Sequence, residues 1–174
     1  MRLKDKVIII TGATSGIGKA IAISAVKEGA KVLVHGIDQS EGQKVVDHLG
    51  KSAALCIADL ADPSAPKKIA DAAISAFGQI DGLVNNAAII ERNNLLQLTP
   101  EAFTKTITVN LQSALFLIQA CYEHLKKSKG AVLNIGSINA YSGESSLLAY
   151  SIGKAGLQTT VSYTHLTLPT NREV

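Results

Sequence analysis

A glycine-rich turn between an apolar run and a helical pattern constrains this chain more than any other feature. The β-branched apolar run at 6–11 predicts a short buried strand, and helical apolar spacing follows over 17–29. Between them the glycines are spaced G-x-x-x-G-x-G. We expect Gly12 to permit the tight turn, Gly16 a close approach of the backbone to a pyrophosphate, and Gly18 the packing of helix on sheet. A helix N-terminus here offers free N–H groups and a positive dipole end to that anion.

Strand and helix patterns alternate five times along the chain. Strands are predicted over 6–11, 31–35, 53–58, 80–85 and 131–136, and helices over 17–29, 40–49, 62–77, 99–127 and from 149 onward. Crossover segments of this length connect parallel strands and cover both faces of a sheet. The sequence therefore predicts an α/β fold with a doubly wound, Rossmann-like parallel sheet.

Composition excludes several other classes of protein. With 174 residues, 47% of them hydrophobic, the chain is expected to form one domain with a packed core. The net charge is +3 and the basic residues are scattered, so no nucleic-acid surface is expected. Cys56 and Cys121 lie far apart and no zinc-ligand spacing occurs, so no metal site is expected. No apolar run approaches the roughly 18 residues of a membrane span, and we expect a cytoplasmic protein.

The end of the second predicted strand leaves the choice between NAD and NADP open. In a generic dinucleotide fold an acidic residue at this point binds the ribose hydroxyls. Here the strand ends at Gly36, and neither an acid nor an arginine stands beside it. Asp38 lies two residues on and is equally well interpreted as a substitute for that acid or as a turn residue.

Polar residues also follow the third and fourth strands. Asp59 is placed to bond the edge of an adenine or to cap the turn before Pro63, and its position favours neither. Asn85 and Asn86 are placed to bond loop backbone and hold the crevice open, although ordinary turn asparagines are the alternative.

A tyrosine and a lysine four residues apart predict proton transfer. Tyr150 and Lys154 share one face of a helix. A phenol with a pKa of about 10 must drop by roughly three units to act as a base near neutrality. A nearby ammonium and a positive nicotinamide ring can supply that shift, and Ser137 after the fifth strand is placed to hydrogen-bond a substrate oxygen. Alone, this spacing is more often a surface pair, but the glycine turn and five strand–helix units favour chemistry.

Together these motifs resemble the short-chain dehydrogenase/reductase family over about residues 3–158. The resemblance implies hydride transfer between NAD or NADP and a secondary alcohol or ketone. Tyr150 would be the general acid/base, and Lys154 would lower its pKa and bind the nicotinamide ribose. Ser137 would steady the substrate oxygen, and Asn110 would hold a water in a proton relay.

The resemblance also implies a set of cofactor-binding residues. They are Gly12, Thr14, Ser15, Gly16, Ile17, Gly18, Asp38, Asp59, Leu60, Asn86, Ala87, Tyr150 and Lys154. The implied partner is a small-molecule alcohol or carbonyl compound. Full-length members pair through long helices, so a homodimer or homotetramer is expected.

The chain departs from the family at its C-terminal end. Residues 1–161 are interpreted as the NAD(P)-binding domain, incomplete at the C-terminal edge of the sheet. The Thr-rich tail at 162–174 does not resemble the family; translated sequencing-adapter read-through and natural truncation are the two accounts. We expect helical character to be lost after about Gln158, since Thr is a poor helix residue and Pro169 follows. A non-catalytic dinucleotide-binding module or an inactive fragment is therefore the alternative function.

Overall fold

The structure, a computed structural model, describes the backbone of residues 1–167 and the side chains of residues 1–160. Its sheet contains β1 (Val7–Ile10), β2 (Lys31–Gly36), β3 (Ala53–Ile57), β4 (Gly82–Asn85) and β5 (Ala131–Asn134). All neighbours are parallel and the spatial order is β3-β2-β1-β4-β5. The helices are α1 (Gly16–Lys27), α2 (Gln39–Leu49), α3 (Ala65–Phe77), α4 (Pro100–Ile107), α5 (Ser113–Ser128) and α6 (Leu148–Thr167). The predicted doubly wound parallel sheet is confirmed.

Each face of the sheet has its own apolar core. On one face Ile9, Leu33 and Leu83 pack with residues of α3 and α5. On the other face Ile10 and Val34 pack with residues of α1 and α2. Neighbouring residues of β1 thus point into different cores, as the period-2 geometry of a strand requires, and helices must lie on both sides.

The second helix begins earlier than predicted. Asp38 is its N-cap, and the Asp38 Oδ1 accepts a hydrogen bond of 2.9 Å from the Glu41 backbone N–H. The predicted cap, Ser40, lies inside the helix. An aspartate whose carboxylate accepts from the third helical N–H is a strong cap, so it outcompetes the serine two residues later.

The helix predicted over 99–127 is divided by one wide turn. Thr99 caps α4 as expected, accepting from the Ala102 N–H at 3.2 Å. Residues Thr108–Gln112 then form a π-helical segment before α5 begins. Asn110 lies in this segment and is 1% exposed. Single π turns inside α-helices often mark functional sites, and apolar spacing does not predict them.

The last helix continues beyond the predicted limit. We expected helical character to end near Gln158, but α6 runs to Thr167. Thr159 and Thr160 donate their hydroxyl protons to the carbonyls of Gly156 and Leu157, each at 2.7 Å. The helix propensity of Thr costs only a few tenths of a kcal/mol per residue, so two threonines whose hydroxyls bond to carbonyls of the same helix do not end it. Pro169 lies outside the described residues, and the domain boundary at 161 stays a prediction.

Candidate active site

A cleft of about 760 Å³ opens at the carboxyl ends of β1, β2 and β4. The order of strands reverses between β1 and β4, and ligands of doubly wound sheets bind at such a point. Nine predicted cofactor-binding residues line the cleft: Gly12, Thr14, Ser15, Gly16, Ile17, Asp59, Leu60, Asn86 and Ala87. Sequence reasoning missed another nine: His35, Gly36, Ile37, Ala61, Ala88, Ile89, Ile90, Lys105 and Val109. Residues directly after strands could have been predicted from the sequence to line the cleft. Lys105 and Val109 could not, because tertiary packing alone brings them there.

The glycine turn leaves room for a phosphate pair. Gly12 and Gly16 have φ angles of +63° and +52°, which favour glycine. A Cβ on Gly16 would meet no atom within 4 Å, so the space above this backbone is open. The Ser15 side chain makes no capping bond to α1, and the first turn of that helix carries no acidic residue. The free N–H groups at this N-terminus therefore fit a dinucleotide pyrophosphate.

The turn is bound to the end of β4 by partly buried hydrogen bonds. Asn86 Nδ2 donates to the carbonyls of Thr11 and Gly12 at 2.8 and 3.2 Å. In return, Thr11 Oγ1 accepts from the N–H groups of Asn86 and Ala87, both at 3.0 Å. A Cβ on Gly18 would collide with the Gly12 carbonyl oxygen and lie 2.5 Å from Asn86 Nδ2. The asparagine thus holds loop backbone, one of the two interpretations left open by the sequence.

The two aspartates differ in position. Asp38 caps α2 through its Oδ1 and is not among the residues that line the cleft, and its binding of a ribose stays a prediction. Asp59 lines the cleft while its Oδ1 accepts from the Ala61 N–H at 2.9 Å. At the end of β2, a Cβ on Gly36 would overlap the Thr14 side chain. Ile37 beside it is 75% exposed.

The tyrosine and lysine lie together beyond the end of β5. Tyr150 is half-buried in the first turn of α6. Lys154 is 2% exposed, and its Nζ donates to the Ile135 carbonyl at 2.6 Å. The same Nζ is 5.9 Å from the centroid of the Tyr150 ring. Burial lowers the pKa of Lys154 from its ordinary value.

Ser137 lies shortly after the end of β5. It begins the short 3₁₀ turn Ile138–Ala140, and its Oγ accepts from the Asn139 N–H at 3.2 Å. This turn packs against α6, the helix that carries Tyr150. The fold therefore brings the serine-bearing turn and the tyrosine-bearing helix to the same end of the sheet.

Asn110 binds the loop that follows β4. Its Oδ1 accepts from the Ile89 N–H at 2.8 Å, and its Nδ2 donates to the Ile89 carbonyl at 2.9 Å. Ile89 lines the cleft, so this amide fixes a wall of it. The Oδ1 keeps one further lone pair with which to accept from water.

A second network joins the loops beside the tyrosine. Arg92 Nη1 contacts Glu144 Oε1 at 2.9 Å and Ser146 Oγ at 3.1 Å. The Asn93 N–H donates to the Ser146 carbonyl at 2.9 Å, and Asn139 Nδ2 lies 3.4 Å from Glu144 Oε2. The Ser146 hydroxyl and the Arg92 guanidinium hold the pKa of Glu144 below its ordinary value. The side chains of Arg92 and Glu144 are 66% and 47% exposed, so water screens this network.

A cleft at the switch point of a parallel sheet, with a glycine turn and a helix N-terminus at its mouth, defines a dinucleotide-binding α/β protein. The family described as short chain dehydrogenase matches residues 6–171. The chain belongs to this family, as its sequence resemblance predicted. The match ends at residue 171, within the Thr-rich segment 162–174.

Curated relatives are similar over most of this chain. L-rhamnose 1-dehydrogenase (NAD(P)(+)) of Azotobacter vinelandii is 36% identical over 166 residues, covering 90% of this chain and 65% of the relative. The 3-oxoacyl-(acyl-carrier-protein) reductase FabG of Escherichia coli is 32% identical over 158 residues, covering 90% and 65%. The chain thus spans less than two thirds of the length of these relatives.

A solved structure has the same fold. It is a short-chain dehydrogenase/reductase of unknown function from Caenorhabditis elegans, determined with cofactor. It superposes with a TM-score of 0.89 at 28% identity, covering 96% of this chain and 66% of that one. Within residues 1–167 no helix is long and apolar enough to cross a membrane. The same part of the chain contains no group of three or more His, Cys, Asp or Glu side chains able to hold a metal.

Proposed function

We propose that this chain carries the dinucleotide site and the proton-transfer residues of an NAD(P)-dependent oxidoreductase acting on a secondary alcohol or ketone. The observation that carries the proposal is the tyrosine–lysine pair beyond β5. Lys154 is buried with its ammonium donating to the Ile135 carbonyl, 5.9 Å from the Tyr150 ring. A phenol, which can exchange a proton with a substrate oxygen, and an ammonium thus lie side by side on α6.

The residues of the cleft fit the two halves of a dinucleotide. In our proposal the N–H groups of Ser15, Gly16 and Ile17 bind the pyrophosphate, while Asp59 and Leu60 contact the adenine. Asn86 and Ala87 line the middle of the cleft, where their backbone is fixed by the Thr11 hydroxyl. Bound NAD(P) supplies the hydride-accepting or hydride-donating ring.

The proton steps belong to the chain. In reduction the Tyr150 hydroxyl gives its proton to the substrate oxygen, and in oxidation the Tyr150 phenolate takes the proton of the substrate hydroxyl, as a general acid or base does. The Lys154 ammonium stabilises the phenolate left behind, and the Ser137 hydroxyl donates a hydrogen bond to the same substrate oxygen. Asn110, through the free lone pair of its Oδ1, holds a water that carries the proton from solvent in reduction and toward solvent in oxidation.

We further propose that NAD and NADP bind with affinities within about tenfold of each other. Gly36 and Ile37 offer neither a carboxylate for a ribose diol nor a cation for a 2′-phosphate. Asp38 does not line the cleft, and Lys105, a cation of the cleft, is paired with Glu91 at 2.9 Å. Titration of the protein with each dinucleotide tests this, and a preference above a hundredfold would contradict it.

The partners and location of the protein are also proposals. Exposed Leu115 and Phe116 on α5, 44% and 43% accessible, support assembly of the full-length form into a homodimer or homotetramer through its long helices. Sedimentation of that form tests it. Free, buried Cys56 and Cys121 support a reducing, cytoplasmic location.

The deciding experiment replaces Tyr150 with Phe in the longest natural form that carries this chain. We expect Tyr150→Phe to lower turnover by about 10³ while the Kd for NAD⁺ changes less than twofold. Tyr141, which is 79% exposed at the same end of the sheet, supplies the control, since Tyr141→Phe should leave turnover unchanged. Retained activity in Tyr150→Phe would overturn the assigned role.

A non-catalytic dinucleotide-binding module is the second candidate. It is favoured by the lining of the cleft, which includes neither Tyr150 nor Lys154. Binding of NAD⁺ without turnover across a broad panel of alcohols and ketones would support it, and turnover by the wild type would exclude it.

A further inference from the structure

His35 is a buried titratable residue that the proposed proton steps do not use. It lies near the end of β2, is 1% exposed, and touches the cleft. Its Nε2 is 3.0 Å from the Ala58 carbonyl, which can only accept a hydrogen bond. Nε2 therefore carries the proton, and the Nδ1 of a neutral ring is an acceptor.

The acceptor nitrogen of His35 faces the glycine turn. The Gly12 N–H points at Nδ1 over a long hydrogen bond of 3.4 Å, and the next N–H, of Ala13, donates to the His35 carbonyl at 2.8 Å. Two consecutive N–H groups of the turn are thus held by one residue. On its other side the ring holds Ala58, the residue before Asp59 in the cleft wall. The ring joins the turn after β1 to the end of β3.

The surroundings of His35 favour its neutral form. Burial lowers the pKa of His35, opposed by the Ala58 carbonyl and the Asp59 carboxylate and reinforced by the Lys68 ammonium from α3. On β3, Cys56 pairs in register with His35, and burial raises the pKa of that thiol. A doubly protonated ring would turn an N–H toward the Gly12 N–H, so donor would face donor and the contact would be lost.

We propose that His35 is a positioning residue for dinucleotide binding, whose neutral Nε2–H tautomer clamps the glycine turn to the end of β3. Protonation of the ring releases the turn and weakens binding of the dinucleotide at acid pH. The ligand named here rests on the proposed function, while the tautomer and the clamp are properties of the chain alone.

Two isosteric variants separate the two hydrogen bonds. Asn places a carbonyl oxygen near the position of Nδ1, and Gln places an amide nitrogen near that of Nε2. The experiment measures the Kd for NAD⁺ by calorimetry between pH 5 and pH 8. For the wild type we expect Kd to weaken up to tenfold per pH unit below the pKa of His35, which lies under 6.5.

The two variants should differ in their Kd for NAD⁺. His35→Asn keeps the acceptor for Gly12 but gives up the bond to Ala58, so at pH 7.5 it should bind more weakly than the wild type and more tightly than His35→Gln, and it should lose the pH dependence. His35→Gln lacks that acceptor and should bind about tenfold more weakly than the wild type at pH 7.5, with no further loss toward pH 5. His48→Asn, on the exposed surface of α2, should reproduce the wild-type profile. A wild-type pH profile in His35→Asn, or wild-type affinity in His35→Gln, would overturn the clamp.

Nitrogen NMR of the His35 ring tests the proposal without any ligand. The unliganded wild-type chain should show a neutral Nε2–H ring at pH 7 that titrates below pH 6.5. A charged ring or the opposite tautomer at pH 7 would overturn the proposal even if a variant fails to fold. A wild type that binds no NAD⁺ at pH 7.5 would refute the proposed function, whereas the ring spectrum would still decide the clamp.

Discussion

At the dinucleotide end of the site, one Asn86 amide bonds two backbone carbonyls and one Thr11 hydroxyl accepts two backbone N–H groups. At the end proposed for the reaction, the reacting end, the loops beside Tyr150 are joined by side-chain contacts of Arg92, Glu144 and Ser146 that are open to water. The same sheet carries both ends, yet partly buried side chains hold the backbone at one of them, whereas the other combines exposed side-chain contacts with the backbone bond from Asn93 to the Ser146 carbonyl.

This difference determines how much stability is lost when a residue is substituted at each end. A partly buried carbonyl that loses its donor costs about 1–3 kcal/mol, because water does not replace the bond. An exposed ion pair that is lost is replaced by hydration and costs little. A conservative substitution should therefore lower the free energy of unfolding more at the dinucleotide end than at the reacting end.

The largest contrast should come from the same substitution at both ends. Asn86→Asp replaces a donor to two carbonyls by a carboxylate, so we expect the free energy of unfolding to fall by about 3 kcal/mol. Asn139→Asp changes one exposed contact of 3.4 Å and should alter it by less than about 0.5 kcal/mol. Urea unfolding at pH 7 measures both. Equal losses would remove the distinction between the two ends.

A pair of glycines gives a smaller contrast of the same kind. A Cβ on Gly18 overlaps the Gly12 carbonyl, and this backbone is itself held by Asn86, so Gly18→Ala should destabilise the chain by about 2 kcal/mol. A Cβ on Gly143 meets nothing within 4 Å, and Gly143 has no positive φ. Gly143→Ala should therefore be neutral or stabilise by up to about 1 kcal/mol. A loss at Gly143 comparable to that at Gly18 would contradict the comparison.

The smallest effect should come from the Glu144 carboxylate, which joins the loops beside Tyr150. Because Ser146 and Arg92 lower the pKa of Glu144, its stabilising contribution is present above the unfolded value of about 4.5 and is lost as pH falls through the folded one. Glu144→Gln should lower the Tm at pH 7 by only about 1 °C and leave no difference in 1 M NaCl. A large, salt-independent loss would mean that this network is a fixed part of the site.

Much of the fold was predictable because its signals are local. The β-branched runs, the Thr99 cap and the glycine turn each depend on neighbours in sequence, and alternation of strand and helix determines the parallel sheet. Gly12 and Gly16 were predictable for the same reason. The two polar residues left undecided, Asp38 and Asp59, required the structure to show which of them lines the cleft.

The missed features depend on contacts between distant segments. The π turn around Asn110 exists together with its two bonds to Ile89, 21 positions away. His35 was passed over because its partners, Gly12 and Ala58, each lie 23 positions away along the chain. The pattern of residues along β2 is the same whether its histidine bonds these two partners or only fills the core.

The π turn at Thr108–Gln112 also fixes the phase between two helices. Each residue of an α-helix turns the chain by about 100°, so the extra residue rotates the packed face of α5 relative to that of α4. Deleting one residue from 108–112 would restore regular winding and leave composition almost unchanged, yet Leu117, Cys121 and Leu125 would swing away from the core they fill. Over evolutionary time, insertions and deletions in this family member should be excluded from these five residues far more strictly than substitutions.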